Sequence, residues 1–145
     1  MLSIVVVAGA ASFQRIANLP PVLLESSGLV WLKGRLWTMV DERDPRLYAL
    51  SPRTGKVVKT VLLKGVINRD WEAIAIDQRY FYVGDIGDNA GHRKELIIYR
   101  FPLSKLSGKR VVVRDKIQFQ YPSDRTKSNL LGFHDADAEA MAVVG

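Results

Sequence analysis

Three stretches of the chain share one pattern: Glu-Ser-Ser-Gly-Leu-Val at 25–30, Glu-Ala-Ile-Ala-Ile-Asp at 72–77 and Glu-Ala-Met-Ala-Val-Val at 139–144. Each stretch opens with a glutamate and continues with small and apolar residues, as expected where a strand begins. The glutamates at 25 and 72 are separated by 47 positions. A repeat of about this length is the size of one β-propeller blade. The repeat therefore predicts an all-β protein, a β-propeller of four-stranded antiparallel blades.

The residues that follow the first two glutamates also correspond. The segment 36–38 (LWT) matches 81–83 (FYV), and the segment 47–52 (LYALSP) matches 98–102 (IYRFP). Turn residues separate the strands, among them Lys33-Gly34 and the Ser-Pro-Arg-Thr-Gly turn at 51–55. For the first repeat we predict strands at 27–33, 35–40, 46–50 and 56–63. The alternative is an unrelated meander or sandwich whose strands only look alike.

The repeat defines a domain organisation. We predict a first blade at about 25–69 and a second at about 70–136, with an insertion near 103–109, and the start of a third from 137. Two blades and one strand cannot close a ring, so the expectation is the N-terminal part of a longer propeller. Its open blade edges would favour self-association. The alternative is a small closed domain of three hairpins.

Five sequence segments resemble a known family: ESSGLVW at 25–31, RLYALSP at 46–52, RDWEAIA at 69–75, YVGDIGDN at 82–89 and DAEAM at 137–141. They are similar to secreted bacterial six-bladed β-propellers, grouped with NHL-type and phytase-like propellers. The resemblance implies six blades in the complete ring. One loop departs from the family pattern, because Met39-Val40-Asp41-Glu42 stands where a polar Asn-Asp-Ser-Gly-type loop is expected.

The N-terminal segment 1–12 is apolar and ends in small residues. Its length and its Ala8-Gly9-Ala10 sequence are typical of the core and cleavage site of a signal peptide, although no basic residue precedes Arg15. This interpretation predicts a secreted or cell-envelope protein of bacterial origin, with 13–145 as the propeller segment. The alternative is a buried strand, which would fit a cytoplasmic protein. We predict no transmembrane segment.

Composition narrows the chemistry. The chain has no cysteine, which excludes disulfides, thiolate zinc sites, iron–sulfur clusters and thiol catalysis. Its formal charge of +6 favours an anionic polymer or an acidic small molecule as partner. The basic residues, such as Arg53, Lys56, Arg93 and Lys94, are predicted on a solvated outer face. Nucleic acid is an unlikely partner, because the tryptophans belong to buried strands.

The repeated glutamates predict an acidic site. In a propeller the innermost strands face the channel, so Glu25, Glu72 and Glu139 would meet at one mouth, together with Asp85. Converging carboxylates either bind a hard cation or raise one another's pKa. We therefore predict a calcium site on these four residues. The alternative is structural: the glutamates accept backbone hydrogen bonds between blades.

The segment 85–92 (DIGDNAGH) is rich in oxygen donors but lacks the spacing of an EF-hand loop. We predict that Arg69, Asp70, Asp88 and Asn89 contribute to ligand binding beside it. The alternative is a turn stabilised by Asp and Asn side chains. His92 and His134 are interpreted as surface-loop residues.

Two classes of function follow. The first is an extracellular propeller that binds a ligand or partner at the channel mouth, with a structural divalent ion. The second is a metal-assisted hydrolase of phosphate esters or lactones, as in phytase-like and lactonase-like propellers. A third possibility is a non-functional fragment. The chain contains neither the G-x-S-x-G nor the H-E-x-x-H motif, so serine catalysis and zincin chemistry have no support.

Overall fold

The computed structural model describes residues 15–41, 43–89, 93–121 and 138–144. The described chain is all-β and contains no α-helix. It has nine strands: β1 Ser26–Leu32, β2 Arg35–Val40, β3 Arg46–Leu50, β4 Val57–Lys64, β5 Trp71–Ile76, β6 Tyr80–Asp85, β7 Leu96–Pro102, β8 Arg110–Val112 and β9 Asp115–Phe119. Its helical segments are single 3-10 turns of three and five residues, Pro21–Leu23 and Leu103–Ser107, so none of them is long enough to cross a bilayer.

The strands form two sheets, with the orders β1-β2-β3-β4-β8 and β5-β6-β7-β9. Consecutive strands pair antiparallel because short turns join them. Between β1 and β2, Lys33 and Gly34 both have positive φ, at 50° and 75°, as a two-residue hairpin turn requires. The four strands predicted for the first repeat are confirmed to within one residue at each end.

The predicted insertion near 103–109 forms ordered structure. It folds into the 3-10 turn Leu103–Ser107, and the chain then continues into β8. Strand β8 returns to the first sheet and pairs parallel with β4, aligning Leu62 with Arg110 and Lys64 with Val112. The outer edge of the first sheet is therefore covered by a segment from the second repeat.

The two sheets share one hydrophobic core. Trp37 of β2 meets Phe81 of β6 edge to face, with ring centroids 6.3 Å apart, and Phe81 stacks on Phe101 at 5.5 Å. The β8 segment contributes Val111 and Val113 to the same cluster. The apolar alternation of β2, β4, β6 and β7 thus faces one interior, which is why each sheet needs the other for burial.

A bulge interrupts the first strand pair of each sheet, but at different positions. In the first sheet Ser26 pairs with Val40, and in the second Trp71 pairs with Asp85. With 36–38 matched to 81–83 as predicted, Val40 corresponds to Asp85. The ladder therefore aligns Glu25 with Asp70, and Glu72 is the extra residue of the bulge. The predicted equivalence of Glu25 and Glu72 is therefore corrected by two positions, because Glu72 follows Asp70, the ladder equivalent of Glu25, by two residues.

The start of a third repeat from residue 137 stays a prediction. Residues 138–144 are described, and they form no strand. Ala138 and Met141 pack on the second sheet, against the cluster that contains Ala73 and Ile86. The predicted segment 1–12 lies outside the described residues.

Candidate functional site

The candidate site lies where β1 and β5 begin, and the close approach of these two strands creates it. Gly28 has a φ of 62°, and a Cβ at this position would lie 2.9 Å from the backbone nitrogen of Ile74. Only glycine allows this approach. The Ser27 hydroxyl consequently reaches across and donates to the backbone oxygen and to Oε2 of Glu72, at 2.9 and 3.0 Å.

Glu72 is half-buried, and the pKa of its carboxyl group is strongly raised. Burial first, and then a hydrogen bond with the Asp70 side chain, raise the pKa of Glu72 to about 7. The negative charges of Glu139 and Asp70 act in the same direction, while the Ser27 hydroxyl acts against them. Three carboxyl groups thus interact here, and Glu72 exchanges its proton near neutral pH.

Glu139 reaches this site through the packing of its neighbours. Ala138 and Met141 contact the apolar cluster of the second sheet, next to the strand that carries Glu72. The Glu139 side chain itself is exposed. Asp137, two positions before Glu139, lies outside the described residues.

Asp85 is fully buried and has a different role from Glu72. Its Oδ1 accepts the backbone N–H of Asp70 at 3.1 Å and lies 3.0 Å from the Arg93 guanidinium. Burial raises the pKa of Asp85, and the charge of Arg93 opposes this shift. Within the described residues its Oδ2 accepts no hydrogen bond. The ion pair occupies one face of the carboxylate, so the calcium role of Asp85 stays a prediction.

The loop after β6 is tied to Asp70 and Arg93. Gly87 donates its N–H to the Asp70 carbonyl at 3.2 Å, and a Cβ on Gly87 would lie 2.4 Å from the Asp70 Cγ. Arg93 donates to the carbonyls of Gly87 and Asp85 at 2.5 and 2.9 Å. Asp88, almost fully buried, accepts the N–H of Arg93 at 3.0 Å. This geometry favours the stabilised turn for Asp88 over an open ligand loop.

The remaining predicted site residues are all exposed. Asn89 is exposed and its amide nitrogen lies 3.4 Å from Asp70 Oδ2, so it borders the carboxyl cluster. The side chain of Arg69, which directly precedes Asp70 in the sequence, is also exposed. Glu25 is exposed at the start of β1, where the structure shows its backbone carbonyl accepting the N–H of Asp41 at 3.1 Å. His92 and His134 lie outside the described residues.

Two contributors were missed by sequence reasoning. Arg93 was predicted on a solvated outer face, but it is the partly buried partner of Asp85. Its position directly after a loop rich in aspartate was a usable signal. Ser27 gave no such signal, because its role depends on the approach of β1 to β5, which is a tertiary contact.

The carboxylates were tested against the predicted calcium site. In the described part of the chain, three His, Asp or Glu side chains are nowhere arranged so that they could hold one metal ion. As placed, they do not form the cage that calcium, with six to eight oxygen ligands, requires. The site on Glu25, Glu72, Asp85 and Glu139 therefore stays a prediction.

The arrangement has a clear chemical character. Asp70 and Glu72 form a half-buried acid pair, and the exposed side chains of Asn89 and Glu139 lie near it. Comparisons with protein-family models, curated proteins and solved structures find no match to this chain.

Proposed function

We propose that the chain is part of a β-propeller that binds a ligand at the end where β1 and β5 begin. In this proposal β1–β4 and β5–β9 are two neighbouring blades, with β1 and β5 as their inner strands. The shared core of the two sheets and the side-by-side approach of β1 and β5 at Gly28 support it. The six-bladed family and the secreted or envelope location remain part of the same proposal.

The observation that carries ligand binding is the acid pair of Asp70 and Glu72. Each additional negative charge at this place is costly, as the raised pKa of Glu72 indicates. A ligand that brings positive charge or hydrogen-bond donors relieves that cost, whereas an anionic polymer increases it. The ligand expected at this end is therefore cationic or rich in hydroxyl groups, with calcium as one candidate.

The alternative of a hydrolase has one specific observation in its favour. A carboxyl group that titrates near pH 7 is suited to general acid–base catalysis. Turnover of a generic phosphomonoester or lactone, lost in Glu72→Gln and retained in Glu95→Gln, would favour the enzyme. Binding without turnover favours the binding protein.

The test is an NMR titration of the 15N-labelled, EDTA-treated chain with calcium chloride, magnesium chloride, spermine and methyl glucoside. We expect at least one probe to shift the amides of Asp70, Trp71 and Glu139, and Glu72→Gln to weaken that response. Glu95→Gln is the matched control, because Glu95 is an exposed glutamate that directly precedes β7 and does not belong to the acid pair. If no probe shifts these amides at millimolar concentration, or if Glu72→Gln responds as the wild type does, the proposal is overturned.

A further inference from the structure

A cavity of about 290 Å³ lies at the opposite end of the strands, between the β1–β2 hairpin and the 3-10 turn Leu103–Ser107. Its apolar lining is formed by Leu32, Trp37, Leu103 and Leu106. Trp37 and Leu106 belong to the shared core, so the bottom of the cavity is the end of that core. The cavity is separate from the acidic site, which lies where β1 begins.

The rim of the cavity is basic. Lys33, Arg35 and Lys59 line it together with Ser104 and Ser107, and no acidic residue is among its lining residues. In the described chain none of the three basic side chains forms an ion pair. The Lys59 ammonium donates to the backbone oxygen of Ser107 at 2.6 Å, which holds it at the mouth.

The strand pattern explains this combination. Side chains two positions apart on a strand share one face, so Arg35 lies on the face of β2 that carries Trp37. Ladder partners also share a face: Trp37 pairs with Ala49, and Ala49 pairs with Lys59. At this end of the first sheet, the face that carries the core residue Trp37 therefore ends in the basic residues Arg35 and Lys59 instead of further apolar residues.

From this geometry we infer that the cavity binds a small anion with an apolar group, such as an aromatic carboxylate or phosphate. The apolar floor accepts one or two rings, and the basic rim accepts the anionic group by charge-assisted hydrogen bonds. Ligand pockets in proteins have volumes of roughly 300–1,000 Å³, and this cavity lies near the lower end of that range. The ligand is therefore expected to be no larger than one or two rings with one anionic group.

The backbone of the rim is preformed, whereas the Lys33 and Arg35 side chains are exposed. Lys33 lies in the two-residue hairpin turn, and the 3-10 turn is anchored on both sides, by β7 before it and by the parallel β4–β8 pair after it. Preformed sites lose little conformational entropy on binding. This basic cavity, in contrast to the acidic site, would accept the acidic small molecule that the net charge favours.

The experiment compares 2-naphthoate with the neutral 2-naphthamide by NMR titration of the full chain. We expect naphthoate to bind about tenfold more tightly, which corresponds to about 1.4 kcal/mol, because its carboxylate gains charge-assisted hydrogen bonds at a rim that is open to solvent. The shifted amides should be those of Lys33, Lys59 and Ser104. The variant Arg35→Gln/Lys59→Gln should lose most of the preference for naphthoate and retain its affinity for naphthamide.

The control is Lys64→Gln, an exposed lysine at the far end of the same strand as Lys59. Equal affinity for the two probes, an equal loss in Lys64→Gln, or no binding of naphthoate at millimolar concentration overturns the inference. None of these results depends on the acidic site. Its failure is therefore distinguishable from failure of the proposed function.

Discussion

Val40 and Asp85 occupy the same ladder position at the ends of β2 and β6, yet one is apolar and the other is a buried acid. The loop after each of them is held in a similar way. Asn68 donates to the carbonyls of Val40 and Asp44, both at 2.9 Å, and Arg93 donates to those of Asp85 and Gly87. The neutral amide of Asn68 thus anchors the loop after β2 in the first sheet, and the guanidinium of Arg93 anchors the loop after β6 in the second.

The difference shows that loop anchoring does not require charge. The Asn68 amide satisfies the first loop without a buried ion, whereas the second loop requires Asp85 to balance Arg93. A buried ion pair is seldom more stabilising than apolar residues of the same volume. The second repeat therefore carries charge that the fold itself does not need, next to the acid pair of the candidate site.

The strongest test of the comparison is to give the second sheet the apolar character of the first. Arg93→Met alone leaves Asp85 buried without its partner, and we expect a loss of about 3 kcal/mol in unfolding free energy. Asp85→Val/Arg93→Met should recover a large part of this loss. Urea denaturation of the four proteins of the double-mutant cycle measures the coupling.

Asp44→Asn provides the control, since it changes a part-exposed acid of the first loop. A double variant that is as unstable as the sum of both single variants would contradict the comparison. It would mean that the coupling free energy between Asp85 and Arg93 is zero.

The next test concerns the bulge of the first sheet. Gly28→Ala places a Cβ 2.9 Å from the nitrogen of Ile74 at a φ of +62°, and we expect a loss of about 2 to 3 kcal/mol. Gly34→Ala is matched in φ, at +75°, but meets no atom within 4 Å, so about 1 kcal/mol is expected. Thermal or urea unfolding decides it. Equal losses would mean that the two sheets do not approach at Gly28.

A smaller effect is expected from pH. The pKa of Glu72 is raised from 4.5 to about 7, so the folded protein binds more protons than the unfolded chain between these values. Its stability therefore falls as pH rises from 4.5 to 7, and Glu72→Gln should remove this decline. After allowance for solvent screening the difference is about 1 kcal/mol. Urea unfolding at pH 4.5 and pH 8 measures this difference in unfolding free energy, and Glu95→Gln is the control. If the unfolding free energies of wild type and Glu72→Gln change in parallel with pH, the prediction is wrong.

The smallest effect is expected at the second Arg–Asp pair of the same sheet. Arg100 and Asp115 approach to 2.6 Å, closer than Arg93 and Asp85, but both side chains are partly exposed. Asp115→Asn should cost less than about 1 kcal/mol, and added salt should reduce the cost further. A loss as large as that of Arg93→Met would show that distance and not burial determines the strength of these pairs.

The sequence was sufficient to predict where β1 to β4 begin and end, but not how β8 pairs with β4. Alternation and turn residues located β1 to β4 because these signals are local. The strand pairs β1–β2 and β5–β6 each contain a one-residue bulge, and their ladders align Glu25 with Asp70, so matching the two glutamates displaced this part of the repeat by two positions. Likewise, the pairing of β8 with β4 was not predicted, because the two strands are distant in the chain. The acid cluster at Glu72 was predicted from the equivalence of Glu25 and Glu72, which the strand register does not support. The contacts of Ser27 with Glu72 and of Arg93 with Asp85 are tertiary contacts, so the sequence did not predict them.

The return of β8 to β4 has a consequence for how the chain acquires its structure during synthesis. Contacts such as Lys59 to Ser107 join residues that are 48 positions apart, so the outer border of the first sheet waits for a much later part of the polypeptide. On the ribosome, β4 emerges with its outer backbone groups unpaired and remains so until translation has passed Val112. Non-local pairing of this kind is slow, and an exposed strand is open to chaperones and to intermolecular pairing in that interval. The two repeats should therefore mature as one kinetic unit, and not one after the other.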